Sequence, residues 1–200
     1  MKLSLGSLSA SHMVSVLSLC TLAACGQPQS EELLDESLPE PIAVLPEDGE
    51  RTAQAVTPMQ LAQFRAELLT AVNNARKVTR NCGTTSYPAA PALVANDKLN
   101  TAAQGHAVDM ATKNYFSHTG KDGRSPFDRM KAAGYSFSYA GENIAAGNAT
   151  VAATMTQWLN SAGHCANIMS KNFTQIGFGY ENNSASTYKH YWVQNFGKPL

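Results

Sequence analysis

Charge is scarce in this chain: only 15% of its 200 residues are Asp, Glu, Lys or Arg, and the formal net charge is zero. That composition argues against a coiled coil and against global disorder, while the ordinary apolar content suits one domain with a tail. Lys and Arg form no cluster and no aromatic-interleaved motif, which speaks against a nucleic-acid partner. There is no His-Glu-x-x-His and no close His or Cys metal-ligand spacing. No Gly-x-Ser-x-Gly elbow surrounds a candidate nucleophile. No internal repeat is present. Cysteine is sparse as well, with four in all, two of them in the first 25 residues.

The zero net charge conceals an asymmetry. Gly26 to Val56 carries eight acids and one Arg, whereas Thr57 to Leu200 has thirteen basic and seven acidic residues. Before the acidic stretch, Lys2 is followed by an apolar run from Met13 to Ala24, too short to span a bilayer as a helix. This pattern reads as a signal peptide over residues 1–24. Leu22-Ala23-Ala24-Cys25 resembles a bacterial lipobox, which implies cleavage before Cys25 and lipidation of its sulfur with palmitate-type chains. Two or more acyl chains anchor a protein stably, where a single chain is marginal. Gly26 stands where an inner-membrane retention signal would place Asp. The expectation is an extracytoplasmic, lipid-anchored protein, at the outer membrane where the cell has one. Residues 25–56, with four prolines and no helical or strand period, read as an acidic tether. The domain then runs from 57 to 200.

Within it, Thr57-Pro58 is a helix start, a capping hydroxyl before a proline at the first helical position. Leu61, Phe64, Leu68, Val72 and Ala75 follow at helical spacing. "TTSYPAAPALVA" reads as loop. Asn96 caps a second helix with Leu99, Ala103, His106 and Met110 on one stripe. Asp122 to Arg124 reads as a turn with an Arg–Asp contact. Ser125-Pro126 starts a short third helix, and Asn148 caps a fourth with Val151, Met155, Trp158 and Leu159 inward. "SFSYAGENIAAG", "TQIGFGY" and "YKHYWVQNFG" are the strand candidates, the last two joined by a polar loop. The mixture predicts an α+β fold, a helix–sheet–helix sandwich.

Once Cys20 leaves with the signal and Cys25 takes lipid, Cys82 and Cys165 remain. In an oxidising compartment an even pair reads as a disulfide. The alternative makes Cys165 a nucleophile served by His164, but adjacent residues on a helix or turn point apart, so that pair has poor geometry. Of the other histidines, His106 is expected to be buried and satisfied on the second helix, and His190 to lie in the last strand at the surface or in a pairing role.

"GHAVDMATKNYFSH", "GENIAAG", "TQWLNSAGHCANIM", "QIGFGY" and "YWVQNFG" occur in that order. Together they resemble the CAP superfamily, the cysteine-rich secretory, antigen 5 and pathogenesis-related proteins, also called the SCP domain. The resemblance covers essentially Thr57 to Leu200. It implies an α-β-α sandwich with a central antiparallel sheet and an open cleft carrying two histidines and two acids. By motif, His118 matches the first histidine, Glu142 the first acid and His164 the second histidine. The second acid falls on Ser161, a departure from the family pattern. Binding-cleft residues are therefore His118, Glu142, Ser161 and His164. His118, Glu142 and His164 are also candidate ligands for a divalent metal such as zinc, with water in the fourth place. The resemblance implies a lipid, peptide or cell-wall ligand and favours binding over catalysis. A hydrolase or metal-dependent enzyme using the same cleft, or a structural envelope protein, are the alternatives.

Overall fold

The computed structural model describes residues 56–200, so the expected signal peptide, Cys25 and most of the tether lie outside the described residues. The chain runs α1 (Pro58–Arg76), β1 (Arg80–Cys82), β2 (Thr85–Tyr87), β3 (Val94–Ala95), α2 (Asp97–Thr112), α3 (Pro126–Ala132), β4 (Phe137–Ala146), α4 (Val151–Asn160), α5 (Ala162–Met169), β5 (Gln175–Asn182) and β6 (His190–Pro199).

Local chemistry sets the helix starts. Thr57 and Ser125 each form a capping box, with Gln60 and Asp128 reaching back to the cap backbone, and each is followed by proline. Asn96 accepts hydrogen bonds from the N–H groups of Lys98 and Leu99 to open α2. At α4 the expected cap is displaced: Thr150, not Asn148, accepts from Ala153 N. The Asn148 side chain is turned to Gln157, and its carbonyl accepts the indole N–H of Trp192.

A further expectation is corrected. The stretch read as loop contains β2 and β3, strands of three and two residues. Strands this short show no alternation by which a sequence would reveal them. In addition, Ser161 adopts an extended backbone, φ −95° and ψ 122°, and separates α4 from a distinct helix α5.

The main sheet has the order β3-β5-β6-β4. It is antiparallel except for the short parallel β3–β5 pair. α1, α4 and α5 pack on one face, where Trp158 and Trp192 are fully buried beside Phe178 and Phe196. α2 covers the other face over Ile144, Tyr191 and Val193. The α+β sandwich expected from the sequence is thus present.

β5 and α2 approach closely because of two glycines. A Cβ on Gly177 would sit 2.2 Å from the Leu99 carbonyl carbon, and one on Gly179 would sit 2.3 Å from that of Ala103. At this distance α2 side chains reach the β5 backbone. Asn100 Oδ1 accepts from Phe178 N at 2.8 Å, and Gln104 bonds both N and O of Tyr180 at 3.0 Å. Arg65 of α1 donates to Phe178 O at 3.0 Å.

Cys82 and Cys165 form the expected disulfide, with Cα atoms 5.4 Å apart and a sequence separation of 83. It ties the β1–β2 hairpin to α5. Nearby, Arg76 is wholly buried at the end of α1. Its guanidinium donates to the carbonyls of Pro91, Ile168 and Ser170 at 2.7, 2.6 and 2.8 Å. Two of these carbonyls lie at the C-terminal end of α5, where unpaired carbonyls favour a cation.

Candidate functional site

β4 is the last strand of the sheet, and the site is built around it. The period-two alternation of a strand sends Glu142 and Ile144 to the α2 face and Asn143 and Ala145 to the opposite face. Glu142 thereby meets the segment between α2 and α3, whereas Asn143 meets α5. Each of these two neighbours supplies one histidine, and the strand brings both into one site.

On the first face, His118 Nδ1 lies 2.8 Å from Glu142 Oε1. A carboxylate only accepts, so Nδ1 carries the proton and donates, leaving Nε2 as the free ring nitrogen. The Glu142 side chain is 2% exposed while that of His118 is 49% exposed. Burial of the carboxylate is offset by Arg129, whose guanidinium donates to Oε2 at 2.8 Å. The Asn195 amide, oriented to satisfy both its groups, donates to the same oxygen at 3.1 Å. Arg129 also bonds the His118 carbonyl at 3.0 Å, so one guanidinium holds both the carboxylate and the backbone of its histidine.

On the second face, Asn143 Nδ2 donates to the His164 carbonyl at 3.1 Å and to Gln194 Oε1 at 3.1 Å. Asn167 of α5 donates to Asn143 Oδ1 at 2.8 Å. This buried amide network fixes the first turns of α5 and hence His164. The His164 ring is held below the usual histidine pKa by burial, and charge on the neighbouring His118 acts in the same direction. Its Nδ1 is enclosed without a partner among the described residues.

Glu142 and His118 are therefore brought into contact, with His164 close enough to sense the charge of His118. Ser161 stands at the α4–α5 junction, and its side chain makes no capping hydrogen bond. The three-ligand metal set expected from His118, Glu142 and His164 does not fit the geometry. Both Glu142 oxygens are taken up by His118, Arg129 and Asn195. Among the described residues no three His, Cys, Asp or Glu side chains are arranged to hold a metal ion. Glu142 instead orients a histidine.

His106 also departs from expectation. It is buried, and Nε2 donates to Ser117 O at 2.8 Å, but Nδ1 has no partner among the described residues. His190 is half-buried, bonded to Tyr180 OH at 2.8 Å and stacked on that ring. Asp122 and Arg124 make the expected contact at 2.6 Å. Sequence reasoning passed over Arg129, Asn143, Asn167 and Asn195. Asn143, Asn167 and Asn195 all stood within singled-out motifs, but their roles arise from partners far along the chain that those motifs do not reveal.

A sheet covered by helices on both faces, with a carboxylate-held histidine near a second histidine, is the arrangement of a CAP domain. Residues 69–196 match the CAP family, described as the cysteine-rich secretory protein family, and the chain belongs to it. Among curated proteins, it is similar to YkwD of Bacillus subtilis (strain 168), an uncharacterized protein, at 41% identity over 104 residues. A second similarity is to the uncharacterized membrane protein YlbC of the same organism, at 38% identity over 96 residues. The matched regions cover 52% and 48% of this chain but only 38% and 26% of those relatives. Among solved structures, an extracellular SCP-domain protein from Bacillus anthracis str. Ames aligns with a TM-score of 0.53 and 28% identity, covering 71% of this chain and 44% of that one. An outer surface protein from Borrelia burgdorferi shares the fold, with a TM-score of 0.60 at 19% identity, covering 74% of this chain and all of that one. These structural relatives are extracellular or surface proteins by description. Among the described residues no helix is long and apolar enough to cross a membrane.

Proposed function

We propose that this chain is a lipid-anchored extracytoplasmic CAP-domain protein that binds a polar envelope ligand, a glycan or peptide, between His118 and His164. The observation that carries the reading is the 2.8 Å contact between a buried Glu142 and a half-exposed His118. It fixes the tautomer, so Nε2 is held ready as an acceptor toward solvent. The anchor is inferred from Leu22-Ala23-Ala24-Cys25. Native mass spectrometry of the mature chain with cell-envelope extracts tests the binding. A bound species that is lost in both His118→Ala and His164→Ala supports it, and binding indifferent to both substitutions refutes it. The mass of the N-terminal peptide, compared with that of a Cys25→Ala variant, tests the lipid.

A second reading follows from the same contact. A carboxylate-oriented imidazole is also the arrangement of a general base, with His118 Nε2 taking a proton from water. Among the described residues Ser161 has no side-chain hydrogen bond to either histidine, so it is not positioned as a nucleophile. Products appearing in the extract with the wild-type protein and absent with His118→Ala would favour this reading over binding alone.

A further inference from the structure

Each histidine of the cleft has one ring nitrogen bonded or enclosed and one left open. His118 gives its Nδ1 proton to Glu142 Oε1 at 2.8 Å, so its open Nε2 holds only a lone pair. His164 is built the other way round. Its Nδ1 is enclosed without a partner among the described residues, whereas its Nε2 is neither enclosed nor bonded there. Burial favours the neutral ring, which carries a single proton. On Nδ1 that proton would be an enclosed donor with no acceptor, a state folded proteins rarely tolerate. On Nε2 it reaches solvent. His164 Nε2–H is therefore a donor where His118 Nε2 is an acceptor, and the two cleft histidines are opposite tautomers.

That pairing selects a ligand group. A carboxylate only accepts and an ammonium only donates, so each satisfies one histidine and opposes the other. A hydroxyl does both, but from one oxygen, which both rings would have to reach. The rings are instead brought in from opposite faces of β4, His118 by the segment after α2 through Glu142, and His164 by α5 through Asn143. A trans secondary amide carries its N–H and its C=O on different atoms, pointing in opposite directions. We infer that the cleft recognises a neutral secondary amide, its N–H donating to His118 Nε2 and its carbonyl accepting from His164 Nε2–H. A peptide bond and the acetamido group of an N-acetylated sugar share this chemistry. The inference rests on the binding role proposed above and narrows it from polar ligands in general to one functional group.

Ring ¹⁵N spectra of the mature chain, taken above the titration of both rings, test the tautomers before any ligand is added. The expected result is a protonated Nδ1 in His118 and a protonated Nε2 in His164. A His164 protonated at Nδ1 overturns the inference. The same signals are then followed against an alanine peptide capped with N-acetyl and methylamide groups, a short N-acetylglucosamine oligomer, and a glucose oligomer of equal length. Both Nε2 signals should shift saturably with at least one amide probe, and binding of the glucose oligomer should be at least about tenfold weaker. The tighter amide probe identifies peptide or N-acetylated glycan as the source. Glu142→Gln should reverse the preference. Arg129 and Asn195 donate to one oxygen of this side chain, so the substituted amide keeps its oxygen there and turns its N–H to His118 Nδ1, which makes Nε2 a second donor. The variant is expected to bind the amide probe at least about tenfold more weakly and to gain affinity for acetate. Equal binding of the glucose oligomer, Nε2 signals unmoved by both amide probes, or an unchanged preference in a folded Glu142→Gln overturns the inference. The wild-type titrations decide alone where that variant does not fold. An envelope species still captured through both histidines would then leave the binding role standing, and without one both readings fail.

Discussion

Arg129 and Glu142 lie 2.8 Å apart with side chains 8% and 2% exposed, a paired charge sealed beneath a histidine that faces water. The pair is costly to break from one side, since the surviving partner stays buried without its counter-charge. The cleft histidine is thus held by a group that cannot reorganise cheaply.

Glu142→Gln is therefore expected to destabilise the domain by about 3 kcal/mol. Urea unfolding monitored by tryptophan fluorescence checks this, and a loss below about 1 kcal/mol would mean that Arg129 finds another acceptor. Ring ¹⁵N spectra of Glu142→Ala should also show His118 leaving its single tautomer.

Arg76 has three carbonyl acceptors and no carboxylate partner among the described residues, and burial brings its pKa down to about 10. Arg76→Met should cost about 2 to 4 kcal/mol, because three enclosed carbonyls lose a charged donor. An unchanged urea midpoint would show that water replaces the guanidinium.

Cys82→Ser with Cys165→Ser opens a bridge between residues separated by 83 positions in sequence. The chain-entropy argument gives a loss of about 4 to 5 kcal/mol, mainly through a freer unfolded state. Comparing guanidinium unfolding of the oxidised protein with that of the double variant measures it. Coincident curves would refute the estimate.

Stability should also fall on mild acidification. Burial holds His106 and His164 below the usual value of 6.5. Between the folded and unfolded values the unfolded chain binds more protons, so this stability is complete above about pH 6.5, falls as the pH drops below it, and levels off once the folded values are passed. Asp109 acts in a lower window. Burial pushes it up, but hydrogen bonds from Lys113 and Tyr115 outweigh that and hold it below 3.8, so its contribution fades only under stronger acid. Urea midpoints that stay level between about pH 7.5 and pH 5 would contradict the histidine prediction.

Much of this was legible along the chain. The capping boxes at Thr57 and Ser125 are local chemistry, complete within four residues. The disulfide needed only compartment and parity. His118, Glu142 and His164 could be picked out by motif, but their division of labour could not. Glu142 reads equally well as a ligand or as an orienting group until Arg129 and Asn195 are seen to occupy its oxygens. Long-range partners decide such a case, and no local pattern announces them. Asn148 misled because it has the chemistry of a cap, yet the helix opens two residues later at Thr150 and the Asn148 side chain is turned to Gln157.

The side chains of Asn100, Gln104 and Arg65 that bond the backbone of β5 have an effect beyond seating a helix. They occupy the row of donors and acceptors onto which a foreign strand would otherwise add. At the other margin Trp158 Nε1 donates to the Ile144 carbonyl at 3.1 Å and Asn167 approaches that of Glu142 at 3.4 Å. The sheet is thus fenced on both sides by helical side chains, and copies of this domain crowded together meet margins already occupied, a poor start for stitching themselves into a fibre.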